Sequence, residues 1–174
     1  ILISGGTGFI GKNLIKNLLL SKNVKILLIT RNKKIKFNDS KITYIRNDLK
    51  NINQYENQII NFKPEIIYFF SWTGIPDFSL KNCNINLDNS IKFLNCVQKI
   101  KSLKKIFILG TCLEYLKKYG ECKETDYLDK KNLFPKTKIN IYKRFSRDIN
   151  KNIKLYWFRL FYVYGNGQRI GSLI

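Results

Sequence analysis

Three glycines spaced Gly5-x-x-Gly8-x-x-Gly11, directly behind the apolar run Ile1-Leu2-Ile3, constrain this chain more than any other feature. The run before them is short and β-branched, as in a buried strand. Behind them Ile10, Leu14 and Leu18 recur at helical spacing. A turn between such a strand and such a helix needs glycine for three reasons. One residue must bend tightly, one must let the backbone approach a pyrophosphate with no Cβ in the way, and one must let helix and strand pack closely. An anion would then rest on the first-turn amides near Phe9 and Ile10, at the positive end of the helix dipole. The alternative is a glycine-rich turn with no ligand, but the strand before and the amphipathic helix after supply the context the motif requires.

Strand and helix signals alternate along the rest of the chain. Residues 24–29 form an apolar run broken only by Lys25, and 42–45 form a short third strand ending at Asn47-Asp48-Leu49. A polar helix is expected through Ile52, Ile59 and Ile60, stopped by Pro64, with a fourth strand over 66–70. Leu87, Ile91, Leu94 and Val97 recur at intervals of three and four, which predicts a helix over 84–99. A fifth strand over 106–109, a helix over 138–149 and a sixth strand over 153–160 complete the series. Near-continuous apolar strands separated by helices mean a parallel sheet covered on both faces. The expected fold class is therefore α/β, a doubly wound, Rossmann-like sheet forming one domain over 1–174.

Composition adds bounds. The 174 residues hold no methionine, the chain opens inside its first strand, and Ile170 to Ile174 carry no stop signal. A fragment truncated at both ends, lacking most of a C-terminal substrate domain, is expected. The formal charge of +20 raises nucleic acid as a partner, but the lysines are spread over every segment rather than gathered in a stripe. No nucleic acid is expected. Cys83, Cys96, Cys112 and Cys122 form no C-x-x-C pair, and there is no histidine, so no metal site is expected and reduced thiols in the cytoplasm are the simplest reading. No apolar run approaches the length of a membrane span.

Several motifs fall in one order. The glycine turn is followed by Asp48-Leu49, Phe69-Phe70-Ser71-Trp72, Gly110-Thr111-Cys112-Leu113-Glu114-Tyr115, and Arg159-Leu160-Phe161-Tyr162-Val163-Tyr164-Gly165. Across nearly the whole chain this resembles the extended short-chain dehydrogenase/reductases, the nucleotide-sugar epimerase/dehydratase family. The resemblance implies an NAD(P)-binding domain acting on a nucleotide-sugar substrate, with a homodimer left open. It implies that Asp48 and Leu49 contact adenine and that Phe70, Ser71 and Trp72 line the cofactor. Asn86 matches the asparagine that opens the next helix. Thr111 falls where the family places its catalytic Ser or Thr, four residues before Tyr115. Read as ordinary residues, Asp48 is also a cap for the following segment and Thr111 a strand-end hydroxyl.

The second strand bears on cofactor choice. An acid at its end would bind the ribose hydroxyls of NAD. This chain has Thr30-Arg31-Asn32-Lys33-Lys34 there, and Arg31 suits a 2′-phosphate with nothing to repel it. NADP is favoured and NAD stays open.

One departure matters. The family's reaction depends on Tyr-x-x-x-Lys, whose i, i+4 spacing puts both side chains on one helix face, where the ammonium lowers the phenol pKa and holds the nicotinamide ribose. The lysine is assigned to Lys143. Counted from Pro135, the tyrosine position is 139, and residue 139 is Ile. Tyr142 lies about 4.5 Å further along the axis and adjoins Lys143 rather than stacking over it. Tyr127 has Lys131 four residues on but lies in a charged loop and is rejected. Cys112 and Leu113 occupy the positions of the acid pair that dehydratases of the family use. Dehydration is therefore disfavoured, and a reductase or epimerase of the 4-keto-6-deoxy-sugar type fits better, impaired by Ile139. The competing readings are a catalytically inactive dinucleotide-binding sensor or partner subunit, and a basic nucleic-acid-binding protein supported by charge alone.

Overall fold

The computed structural model describes residues 1–34, 37–117 and 119–168; Ile170 to Ile174 lie outside the described residues. Among the described residues six strands form one sheet: β1 (Leu2–Ser4), β2 (Ile26–Ile29), β3 (Ile42–Ile45), β4 (Ile66–Phe69), β5 (Lys105–Thr111) and β6 (Lys154–Leu160). Their order is β3-β2-β1-β4-β5-β6, and every pairing is parallel. The α/β doubly wound architecture expected from the sequence is the one observed.

Alternate residues of β1 enter opposite layers, as the two-residue period of a strand demands. Ile3 packs with Leu28 and with Ile15 of α1 (Phe9–Leu18) on one face. Leu2 joins Leu27, Ile67 and Ile106 on the other. That second face is covered by α2 (Glu56–Phe62), α3 (Leu80–Val97) and α4 (Leu133–Asp148), through Ile59, Phe93, Leu94, Ile141 and Phe145. Because the inner strands are buried on both sides, β1 and β2 consist of buried residues throughout.

Three boundaries differ from the sequence reading. The polar helix after β3 is two pieces, a 3-10 turn (Leu49–Gln54) and α2, broken at Tyr55. Helix α3 starts at Leu80, capped by Ser79, so Asn86 lies in its second turn instead of opening it. Helix α4 starts at Leu133, five residues before the expected position. Pro135 sits in its first turn, where a missing N–H breaks no intrahelical bond, so the proline is part of the helix rather than a stop before it. Among the described residues no helix is long and apolar enough to cross a membrane.

Candidate functional site

Strand order turns back between β1 and β4: β1 leads to β2 on one side, β4 to β5 on the other. Crossovers diverge at such a point and leave a crevice at the carboxyl ends of the strands. Here the crevice is a cavity of about 860 Å³. Its wall runs from Arg31 and Asp48 at one end, past the glycine turn, to Thr111, Phe134 and Lys138 at the other.

Each glycine of the turn meets a different demand. Gly5 has φ +77°, and a Cβ there would lie 2.6 Å from the Phe70 carbonyl carbon and 2.7 Å from the Ser71 nitrogen. Backbone of the first turn thus packs directly on backbone of the fourth strand's end. A Cβ on Gly11 would strike Gly5 O and lie 2.5 Å from Gly6 Cα, so this glycine closes helix against turn. Gly8 is the opposite case. It is the N-cap of α1 with φ −77°, and a Cβ would meet only Gly5 O, at 3.3 Å. Its remaining surroundings are open on the cavity side. Helix α1 has no side-chain cap and no acid in its first turn, so its leading amides point into the cavity without a protein acceptor from a cap. An anionic group fits this end of the helix.

At the far end, Asp48 caps the 3-10 turn by accepting from the Lys50 amide at 3.0 Å. Its carboxylate also stands 3.7 Å from the Arg31 guanidinium. The sequence reading had no acid near Arg31; the structure puts one there, because the ends of β2 and β3 are neighbours. Arg31 is well exposed, and a pair this long in solvent holds it weakly.

Near β4 and β5 the surroundings are aromatic. Phe134 stacks on Phe78 at 4.1 Å between centroids and meets Trp72 edge-on at 5.2 Å. Asn86 is buried and bonds both the amide and the carbonyl of Thr73, 2.8 Å each, which fixes the loop carrying Trp72. Thr111 caps the turn after β5: its hydroxyl oxygen accepts from the Leu113 amide at 3.3 Å, so the hydroxyl proton stays available to a substrate. Behind it, fully buried Glu114 accepts from the Thr111 amide (2.8 Å), from Arg159 Nε (2.9 Å) and from Trp157 Nε1 (3.0 Å).

Lys143 is corrected. It is exposed and absent from the cavity wall. Nine residues beyond Phe134 is about two and a half helical turns, so it projects from the opposite side of α4. Ile139 is buried and also absent from the wall, and Tyr142 packs against Trp157. The i, i+4 pair that does line the cavity is Phe134 and Lys138. Lys138 Nζ donates to the Leu109 carbonyl at 2.8 Å and sits 4.1 Å over the Trp72 ring. Burial pushes its ammonium down to about 8, against an opposing pull from Glu114. The other expected residues, Gly5, Gly8, Phe9, Ile10, Gly11, Arg31, Asp48, Leu49, Phe70, Ser71, Trp72 and Thr111, all border the one cavity.

The profile of the NAD dependent epimerase/dehydratase family matches residues 1–174. The chain belongs to that family. Among solved structures, this epimerase/dehydratase-family chain is similar to the enzyme WbmG of Bordetella bronchiseptica in complex with NAD and UDP (19% identity, TM-score 0.72, covering 91% of this chain and 51% of that one). It is similar to the UDP-glucuronic acid 4-epimerase of Bacillus cereus in complex with NAD (21%, 0.77, 97% and 58%). A third is the Thermus thermophilus UDP-glucose 4-epimerase complex with NAD (18%, 0.79, 97% and 57%). The chain therefore spans between half and three fifths of the length of these structures. No curated protein matches it.

Proposed function

We propose that residues 1–174 form an NAD(P)-binding domain of a nucleotide-sugar reductase or epimerase, of the 4-keto-6-deoxy type, in which proton transfer is weakened. The observation that carries this reading is the leading end of α1, uncapped, free of acids and opening on the crevice, with Gly8 leaving room beside it. The first-turn amides from Phe9 to Gly11 would hold a pyrophosphate, Asp48 and Leu49 the adenine end, and Phe70, Ser71 and Trp72 the nicotinamide end. When bound, the dinucleotide supplies or takes up a hydride. The protein's own part is to exclude water with Trp72, Phe78 and Phe134, and to donate a hydrogen bond from Thr111 to the sugar oxygen.

Phe134 stands one helical turn before Lys138, where the family's Tyr-x-x-x-Lys needs its phenol, and a phenyl ring carries no transferable proton. This observation also favours a second reading, a dinucleotide-binding subunit that does not turn over substrate. Arg31 supports NADP over NAD, since among the described residues only the loosely paired carboxylate of half-buried Asp48 competes for it. The four free thiols suit a reducing cytoplasm. Calorimetric titration with NADH and NADPH tests the binding reading. NADH oxidation with a uridine diphosphate 4-keto sugar separates weak catalysis from none. Absence of binding by either cofactor would end both readings.

A further inference from the structure

Phe134 leaves the site without a phenol, yet reduction of a carbonyl still needs a proton at its oxygen. The titratable side chains that border the cavity, among the described residues, are Arg31, Asp48 and Lys138. Arg31 does not release a proton near neutral pH. Asp48 follows β3, and β3 is four strand positions from β5, about 19 Å across the sheet. It cannot reach an oxygen held by Thr111. Tyr115 is buried, accepts from Arg159 at 3.4 Å and does not border the cavity; neither does Tyr142.

We propose that the Lys138 ammonium is the proton donor of this site, in place of the missing phenol. The inference rests on reading the cavity as a site of hydride transfer to a keto sugar. A bound reduced dinucleotide would supply the hydride to the carbonyl carbon, the C=O π pair would move to oxygen, and that oxygen would take its proton from Nζ. A neutral amine remains and is reprotonated from solvent. One Nζ proton is engaged by the Leu109 carbonyl, which fixes the side chain along β5, and the others stay available. Thr111 lies two residues on along that strand, so hydroxyl and ammonium converge on the same end of the cavity. The groups acting on Nζ are the Trp72 ring from the β4–α3 loop, the Leu109 carbonyl of β5, and Glu114 of the turn after β5, itself paired to Arg159 of β6. Together they leave an ammonium acidic enough to give up its proton and charged enough to have one near neutral pH.

The test uses the full chain, NADH and UDP-4-keto-6-deoxyglucose, with rates followed from pH 6 to 10 and NADH affinity measured separately by calorimetry. The native rate should fall about tenfold per pH unit above roughly 8, as expected when the required form is the ammonium. Lys138→Arg keeps a cation under the Leu109 carbonyl but cannot release its proton. It should still bind NADH by calorimetry yet lose roughly 100-fold or more in kcat, the range for a general acid. Phe134→Tyr should raise the rate and shift its alkaline limb to the new phenol. A native rate flat across the pH range, or Lys138→Arg turnover close to native, would overturn the inference and leave Lys138 as a positioning residue. NADH binding without any native turnover would overturn it too, while the dinucleotide-binding reading survives. No binding of NADH or of NADPH would remove that reading itself.

Discussion

Replacing Lys138 with methionine tests the buried charge without any ligand. The ammonium is depressed from its ordinary 10.5 to about 8 because burial disfavours its charged form. Between those two values the unfolded chain binds more protons than the folded one, so stability rises with pH across the window, and below about 8 the penalty is complete. At about 1.4 kcal/mol per tenfold change in proton affinity, the penalty at pH 7 is about 3 kcal/mol. Lys138→Met removes it but also strips the Leu109 carbonyl of its 2.8 Å donor, a loss of about 1 kcal/mol. The variant should be more stable than native by about 2 kcal/mol at pH 7, and less stable by about 1 kcal/mol above pH 10.5. Urea unfolding followed by far-UV circular dichroism at several pH values between 7 and 10.5 reads the difference between the two proteins. A gap that stays constant over that range would refute the claim that Lys138 is buried as a strained cation.

Three further outcomes follow from other parts of the site. Gly11→Ala should destabilise by about 1–3 kcal/mol, as over-packing does, because its Cβ would collide with Gly5 O and Gly6 Cα; thermal unfolding checks this. Glu114→Ala should cost about 3–5 kcal/mol in urea unfolding, since it leaves mostly buried Arg159 without its carboxylate. Arg31→Ala should weaken NADPH by about 1.5–3 kcal/mol and leave NADH nearly unchanged in calorimetry, with equal losses counting against a 2′-phosphate contact.

The strands were legible because inner strands of a parallel sheet are buried on both faces and so read as unbroken apolar runs, as in Ile26 to Ile29. The glycine turn was legible because Gly5 and Gly11 answer to a backbone conformation and a close approach that no other residue type supplies, and Gly8 to the room a ligand needs. The lysine was not. Taking Pro135 as a residue ahead of the helix moved the expected pair five positions along, from Phe134 and Lys138 to Ile139 and Lys143. A proline in a first helical turn is harmless, and the sign that could have shown it lies in the same stretch: Phe134, Lys138, Ile141 and Phe145 share one helical stripe, whereas Lys143 falls outside it. The approach of Asp48 to Arg31 was hidden for another reason. It joins the ends of two strands 17 positions apart in sequence, and nothing local to either residue announces it.

Titration of the native chain and of Gly8→Val with NADH tests the central claim most directly. Gly8 has φ −77°, which valine adopts, and its Cβ would meet only Gly5 O at 3.3 Å, so the side chain enters with a small shift of that carbonyl and fills the space where a pyrophosphate would approach. The native chain should bind NADH, and Gly8→Val should fold with an unchanged circular dichroism spectrum and show no binding. Equal NADH affinity in the two proteins would contradict the account, because the cradle at the start of α1 would then hold nothing.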